Sequence, residues 1–171
     1  PVSIAASSVP ASVPAKQPSV NLVPAFGGLG APWWDADADA IIDGMTLATG
    51  QAELALAAFE AINLQIEDVL AAVDAATQTK LQTINVDGGP TANNWLMQQQ
   101  ANLSQRTVIK NNIAELSATG VAALAFKVAG IDLASYQADT TSFEPNLETS
   151  SAEARQTSWH AALAKSRMQR S

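Results

Sequence analysis

The residues best suited to chemistry lie between positions 81 and 103. An apolar run, Leu81–Val86, stops at Asp87-Gly88-Gly89-Pro90, and a helical pattern follows to about Leu103 with Thr91 as its expected N-cap. A diglycine lets the backbone approach a ligand closely, and the N-terminus of a helix offers unpaired N–H groups to an anion. Asn93 and Asn94 add amides able to hydrogen-bond a base or a ribose. On residue types alone the segment is either a simple turn between strand and helix or an anion and nucleotide pocket.

Other candidate groups carry less. Asp35, Asp37 and Asp39 alternate like the start of a calcium loop, but the sixth and twelfth places counted from Asp35 hold Ala40 and Thr46, not glycine and glutamate. The run reads as a solvated acidic loop. His160 sits beside Trp159 in a helical segment of a chain without a Gly-x-Ser-x-Gly elbow, and reads as a surface or helix-packing residue. No glycine-bounded loop ends in Lys followed by Ser or Thr, and Gly28-Leu29-Gly30 is followed three places on by Trp33, so neither phosphate-loop fingerprint is complete. Trp33-Trp34 reads as a pair of core anchors in preference to a stacking platform.

The elements that must position these residues fit within 171 residues, 47% hydrophobic and 15% charged, enough for one domain with its own core. Alanine fills 34 positions, which favours close-packed helices. A net charge of −7, with four of the nine basic residues in the last 17 positions, argues against nucleic acid as a partner. The absence of cysteine excludes disulfides, thiolate chemistry and Cys-ligated metals, and a single histidine excludes a multi-histidine metal site. No apolar run approaches the ~20 residues that span a bilayer, so no membrane partner is expected. No basic stretch followed by an apolar one marks a signal peptide, and Pro1 in place of Met points to a processed or excised piece.

Residues 1–34 hold one charged residue, Lys16, and six of the eight prolines. Residues 1–19 are therefore expected to be an irregular tail or severed connection, and 20–171 to form the domain. Val20–Phe26 suits a short buried strand, and Phe26–Pro32 a glycine-rich loop. From Gln51 to Thr77 the pattern predicts a helix with Ala55, Phe59, Ile62, Ile66, Val69, Leu70 and Val73 on its packed face. Glu60, Asn63, Glu67 and Asp74 are expected on its solvent face. A strand is predicted at Thr107–Ile109, a helix over Leu116–Val128 whose Ala118, Ala122 and Ala125 allow close approach, and a last helix over 151–169. Strands alternating with helices predict an α/β layer with parallel pairing.

Four ordered segments also resemble a known family. Val23-Pro24-Ala25-Phe26-Gly27-Gly28-Leu29-Gly30-Ala31-Pro32-Trp33-Trp34-Asp35 resembles a loop of the FGGY carbohydrate kinases, above all the glycerol kinases among them. Gly44-Met45, Glu53-Leu54 and Ala57-Ala58-Phe59-Glu60 match the spacing of a second family signature. Val86–Ala101 resembles the segment D-G-G-x-x-x-N-x-x-L-M-Q-x-Q-A, with Asn102 where the family carries aspartate. Glu115–Ala122 resembles the helix that follows, and Arg155, Trp159 and Arg167 resemble the end of the family's chain.

The resemblance implies an incomplete actin-like (ribonuclease H-like) α/β ATPase domain, a mixed sheet flanked by helices, as the later part of the C-terminal kinase domain. It implies an ATP-dependent phosphoryl transfer, with magnesium, to a hydroxyl of a polyol or sugar in the cytoplasm, where an aspartate takes the hydroxyl proton. By matching position, Gly88 and Gly89 would lie along the nucleotide and Asn93 would meet the adenine. The family's first phosphate loop, catalytic aspartate and second phosphate loop all precede the matching region. The chain alone is therefore expected to be inactive, with substrate contacts mainly in the missing half. The alternative is a noncatalytic nucleotide-binding or interaction module derived from such a kinase. Apolar faces left uncovered lead to an expectation of self-association.

Overall fold

The computed structural model describes residues 20–112, 116–131 and 139–168; the expected tail at 1–19 and Glu115 lie outside them. Two short antiparallel strands, β1 (Asn21–Val23) and β2 (Ile41–Asp43), precede a long helix, α1 (Gln51–Thr77). Strand β3 (Thr83–Val86) leads through a 3-10 turn to helix α2 (Asn94–Ser104), then strand β4 (Thr107–Asn111) and helix α3 (Leu116–Val128). Strand β5 (Thr140–Phe143) and helix α4 (Thr149–Arg167) complete the described chain. The second sheet has the order β3-β4-β5, with β3 parallel to β4 and β5 antiparallel to it, so it is mixed as expected. The strands β2 and β5 are additions to the predicted elements. Each is only three or four residues long, too short to stand out from loop until its partner is known.

Helix α1 forms because residues 51–77 contain neither glycine nor proline and are rich in alanine and leucine. Its start is fixed by the Glu53 carboxylate, which accepts the Gly50 N–H at 2.8 Å, and it ends at Gln78 in the left-handed region at φ 54°. One core joins α1, α2, α4, the first sheet and the loop after β1 through Val23, Leu29, Leu64, Leu103, Trp159 and Leu163. A second packs Leu96, Met97 and Ala101 of α2 on Val108 of β4, with Ile84, Val86 and Phe143 from the neighbouring strands. In the loop between the first two strands, Gly28 has φ +83°, and a Cβ there would lie 2.7 Å from the Ala36 backbone. Only glycine allows that close approach.

The expected orientation of α1 is reversed. Glu60 and Asn63 are buried and Glu67 and Asp74 half-buried, whereas Ile62, Ile66, Val69 and Val73 are 45%, 42%, 38% and 40% exposed. Two buried arginines account for the inversion. Arg155 donates through Nε to Glu60 Oε2 at 2.7 Å and through Nη2 to the Val20 carbonyl at 3.2 Å; its Nη1 bonds Asn21 Oδ1. Arg106 donates to Glu67 Oε1 and Asp74 Oδ2, both at 3.0 Å, and to the Leu81 carbonyl at 2.9 Å. A guanidinium out of water must be paired, and these acids turn inward to meet it. Phe59, the one aromatic residue of the expected apolar side, is half-buried and meets Trp95 edge-on at 6.0 Å.

Helix α3 forms as predicted, but Ala118, Ala122 and Ala125 are exposed and so allow no close approach within the described residues. The tryptophan pair divides. Trp33 packs against the core and donates to Asp68, while Trp34, at φ 48°, is 80% exposed. Adjacent residues in a turn cannot both point into one core. Nor is Asp35 merely solvated: its carboxylate accepts from Arg167 Nε at 2.9 Å and from the Asp37 N–H at 3.1 Å.

Candidate functional site

Because β3 and β4 run parallel, their carboxyl ends lie side by side, with Val86 paired to Lys110. The loops leaving parallel strands diverge there, and the crevice between them is where such sheets hold ligands. A shallow depression of about 260 Å³ occupies this place, lined by Gly88, Gly89, Thr91, Ala92, Lys110, Asn111 and Asn112. The volume falls below the roughly 300–1,000 Å³ of complete small-molecule sites. It has the size of one wall.

Gly88 has φ +92°, which only glycine adopts without strain, and a Cβ built on Gly88 or Gly89 would meet nothing within 4 Å. The backbone is thus bare toward open space, not crowded by its own protein. Thr91 is buried and secures the turn: its N–H and its hydroxyl both donate to the Gly88 carbonyl, at 3.1 and 2.7 Å. Thr91 is therefore not the cap of α2. Pro90 starts a 3-10 turn over Gly89–Ala92, which moves the cap two residues on, to Asn93. Asn93 Oδ1 accepts the Leu96 N–H at 3.2 Å, so the capping bond uses the amide's oxygen and not its Nδ2 donor.

Of the three residues singled out in the sequence, Gly88 and Gly89 line the depression, while Asn93 adjoins it beyond Ala92 and is not part of its lining. Asn94 is exposed and accepts from Lys110 Nζ at 3.1 Å. Lys110, Asn111 and Asn112 were not foreseen as site residues. The signal was present: strand, helix, strand implies parallel pairing, and parallel pairing brings the end of the second strand beside the diglycine. Lys110 is the single ionisable group on the lining, so the depression presents positive charge in a chain of net −7.

Away from this depression, Asp68 of α1 is a buried hub. Its Oδ2 accepts from Trp159 Nε1 at 2.8 Å and Trp33 Nε1 at 3.2 Å, and its Oδ1 meets His160 Nε2 at 2.7 Å. His160 lies edge-on to Trp33 at 6.2 Å, and the Arg167 guanidinium lies 5.1 Å from the Trp33 ring centre. The hydrogen bond to Asp68 raises the His160 pKa above its ordinary value against the opposing effect of burial. His160 thus ties helices together, as its position beside Trp159 suggested. Among the described residues no nucleophile is bonded to His160, and its bonds tie helices together.

Comparison with known proteins places the chain among carbohydrate kinases. The sequence pattern described as FGGY family of carbohydrate kinases, C-terminal domain, matches residues 3–129. Glycerol kinase of Acinetobacter baylyi is 42% identical over 150 residues, covering 84% of this chain and 30% of that protein. Apulose kinase of Pectobacterium atrosepticum is 48% identical over 111 residues, covering 65% of this chain and 22% of that protein. Among solved structures, Plasmodium falciparum glycerol kinase with ADP superposes with a TM-score of 0.77 at 25% identity, over 90% of this chain and 32% of that one. A xylulose kinase from Lactobacillus acidophilus shares the fold, with a TM-score of 0.69 at 24% identity over 86% of this chain and 32% of that one. The chain spans about a third or less of each of these relatives.

Proposed function

The chain belongs to the FGGY family of carbohydrate kinases, within the C-terminal domain, and on that premise we propose that it supplies the adenine-side half of an ATP site. The observation that carries the reading is the bare Gly88-Gly89 backbone at the carboxyl ends of parallel β3 and β4. A planar base or a phosphate ester can lie against it, with Lys110 as the nearest cation and Asn93 Nδ2 as a donor to a ring nitrogen. The complete kinase transfers the γ-phosphoryl group of magnesium-bound ATP to a hydroxyl of a sugar or polyol. By the resemblance, its proton-accepting aspartate and most of its substrate contacts belong to the part of such kinases that precedes the matching region. The 171 residues alone therefore bind nucleotide weakly and transfer no phosphate.

Two-dimensional amide spectra of the chain during titration with ADP test the reading. Resonances of Gly88, Gly89 and Asn93 shift progressively, and Asn93→Ser, which keeps a capping oxygen but removes the amide, weakens binding with the fold intact. Unmoved resonances at these three positions would sink the proposed site.

A further inference from the structure

Lys110 is a cation without a counter-charge. Arg106, Arg155, Lys165 and Arg167 each reach a carboxylate within 3.0 Å. Among the described residues no carboxylate pairs with Lys110, whose Nζ donates instead to Asn94 Oδ1 at 3.1 Å. An ammonium has three N–H donors and no acceptor, so the amide must present its oxygen. The bond joins the two sides of the depression: Lys110 belongs to β4, and Asn94 opens the helix reached from β3 through the diglycine turn. It fixes where the ammonium sits and leaves its charge in place, because the partner is neutral. Asp87 and Asp139 stand near in the chain, ahead of the diglycine and ahead of β5, yet neither is on the lining. Lys110 is also half-buried, so its field is screened less than that of a fully exposed lysine.

We propose that Lys110, positioned by Asn94, makes this depression select by charge, taking a phosphorylated nucleoside in preference to the nucleoside itself. The inference rests on the nucleotide reading of the same depression and names the group that discriminates. Two of the three ammonium donors remain for a phosphate oxygen, and a charge-assisted bond of this kind is stronger than a neutral one. A chain of net charge −7 repels an anion over most of its surface, so an uncompensated cation beside a bare backbone wall sets where the anion settles. Residue 94 matters as much as the lysine. Asparagine holds the ammonium without neutralising it, whereas aspartate at that position would pair with Lys110 and cancel the attraction.

Amide spectra of the whole 171-residue chain, titrated with ADP and with adenosine, test the inference. At about 0.02 M salt ADP binds on the order of tenfold more tightly than adenosine, and at about 0.5 M the gap narrows. Lys110→Met brings ADP down to the affinity of adenosine and leaves adenosine unchanged. Asn94→Asp does the same with the lysine still present, and Lys110→Arg keeps the preference. The dispersion of the spectra shows each variant folded. If either Lys110→Met or Asn94→Asp weakens ADP and adenosine alike, the pair acts on the base or on the fold, and the inference is overturned. Full ADP affinity in Lys110→Met, with Gly88 and Gly89 still shifting, overturns it too while the nucleotide reading stands. Gly88 and Gly89 resonances unmoved by either ligand in the unaltered chain would remove both.

Discussion

Asp68 and Trp159, 91 residues apart, meet at 2.8 Å through the indole N–H and carboxylate Oδ2, both buried, and this bond fastens α4 to α1. The same oxygen accepts from Trp33, so one carboxylate also holds the glycine-rich loop before β2.

Asp68→Ala leaves the buried Trp159 N–H unpaired and releases Trp33 and His160 together. The expected cost is about 3 kcal/mol, read as a lower urea midpoint with an unchanged slope. Asp68→Asn, which keeps an acceptor oxygen, costs less.

His160 gives the hub a pH dependence of known sign. Its folded pKa is raised by the hydrogen bond to Asp68, so the stabilisation is complete below the ordinary histidine value and is lost as pH rises through the raised one. With the imidazole half-exposed, the effect is small, well under about 1 kcal/mol. Urea midpoints of the chain and of His160→Gln, compared from pH 5.5 to 8.5, are expected to converge toward the alkaline end.

Glu67 titrates in a different window. Burial pushes its pKa up to about 7, against the pull of Arg106, and Asp74 adds to the rise. One of its oxygens, Oε2, is buried without a hydrogen-bond partner in the described residues. A carboxyl whose folded pKa is raised binds its proton more tightly in the native state, so stability falls as pH climbs from about 4.5 to about 7. Glu67→Gln flattens that descent, and a pH series of denaturation midpoints reads the difference.

The two site glycines separate strain from access. Gly88→Ala forces a Cβ onto φ +92° and destabilises the chain by about 1–2 kcal/mol. Gly89→Ala meets no atom within 4 Å, leaves the melting temperature in place, and lowers ADP affinity by taking space from the ligand. A Gly89→Ala chain with full affinity for ADP would place the nucleotide elsewhere.

Much of this protein was legible in its residues. The helix over Gln51–Thr77 followed from twenty-seven positions without glycine or proline. The diglycine turn followed from a strand that ends at Val86, before Asp87, and the kinase family from four ordered motifs. Local rules sufficed there, because propensity, turn chemistry and motif spacing act over a few residues. Which side of α1 faces inward was not local. The apolar seam was the stronger periodic signal, but Arg155 reaches Glu60 across 95 residues and Arg106 reaches Glu67 across 39, and pairing of buried guanidiniums decided the orientation. Lys110 likewise joined the site only when β3 and β4 aligned, since neighbours across a parallel sheet are set by pairing over the crossover helix and not by sequence distance.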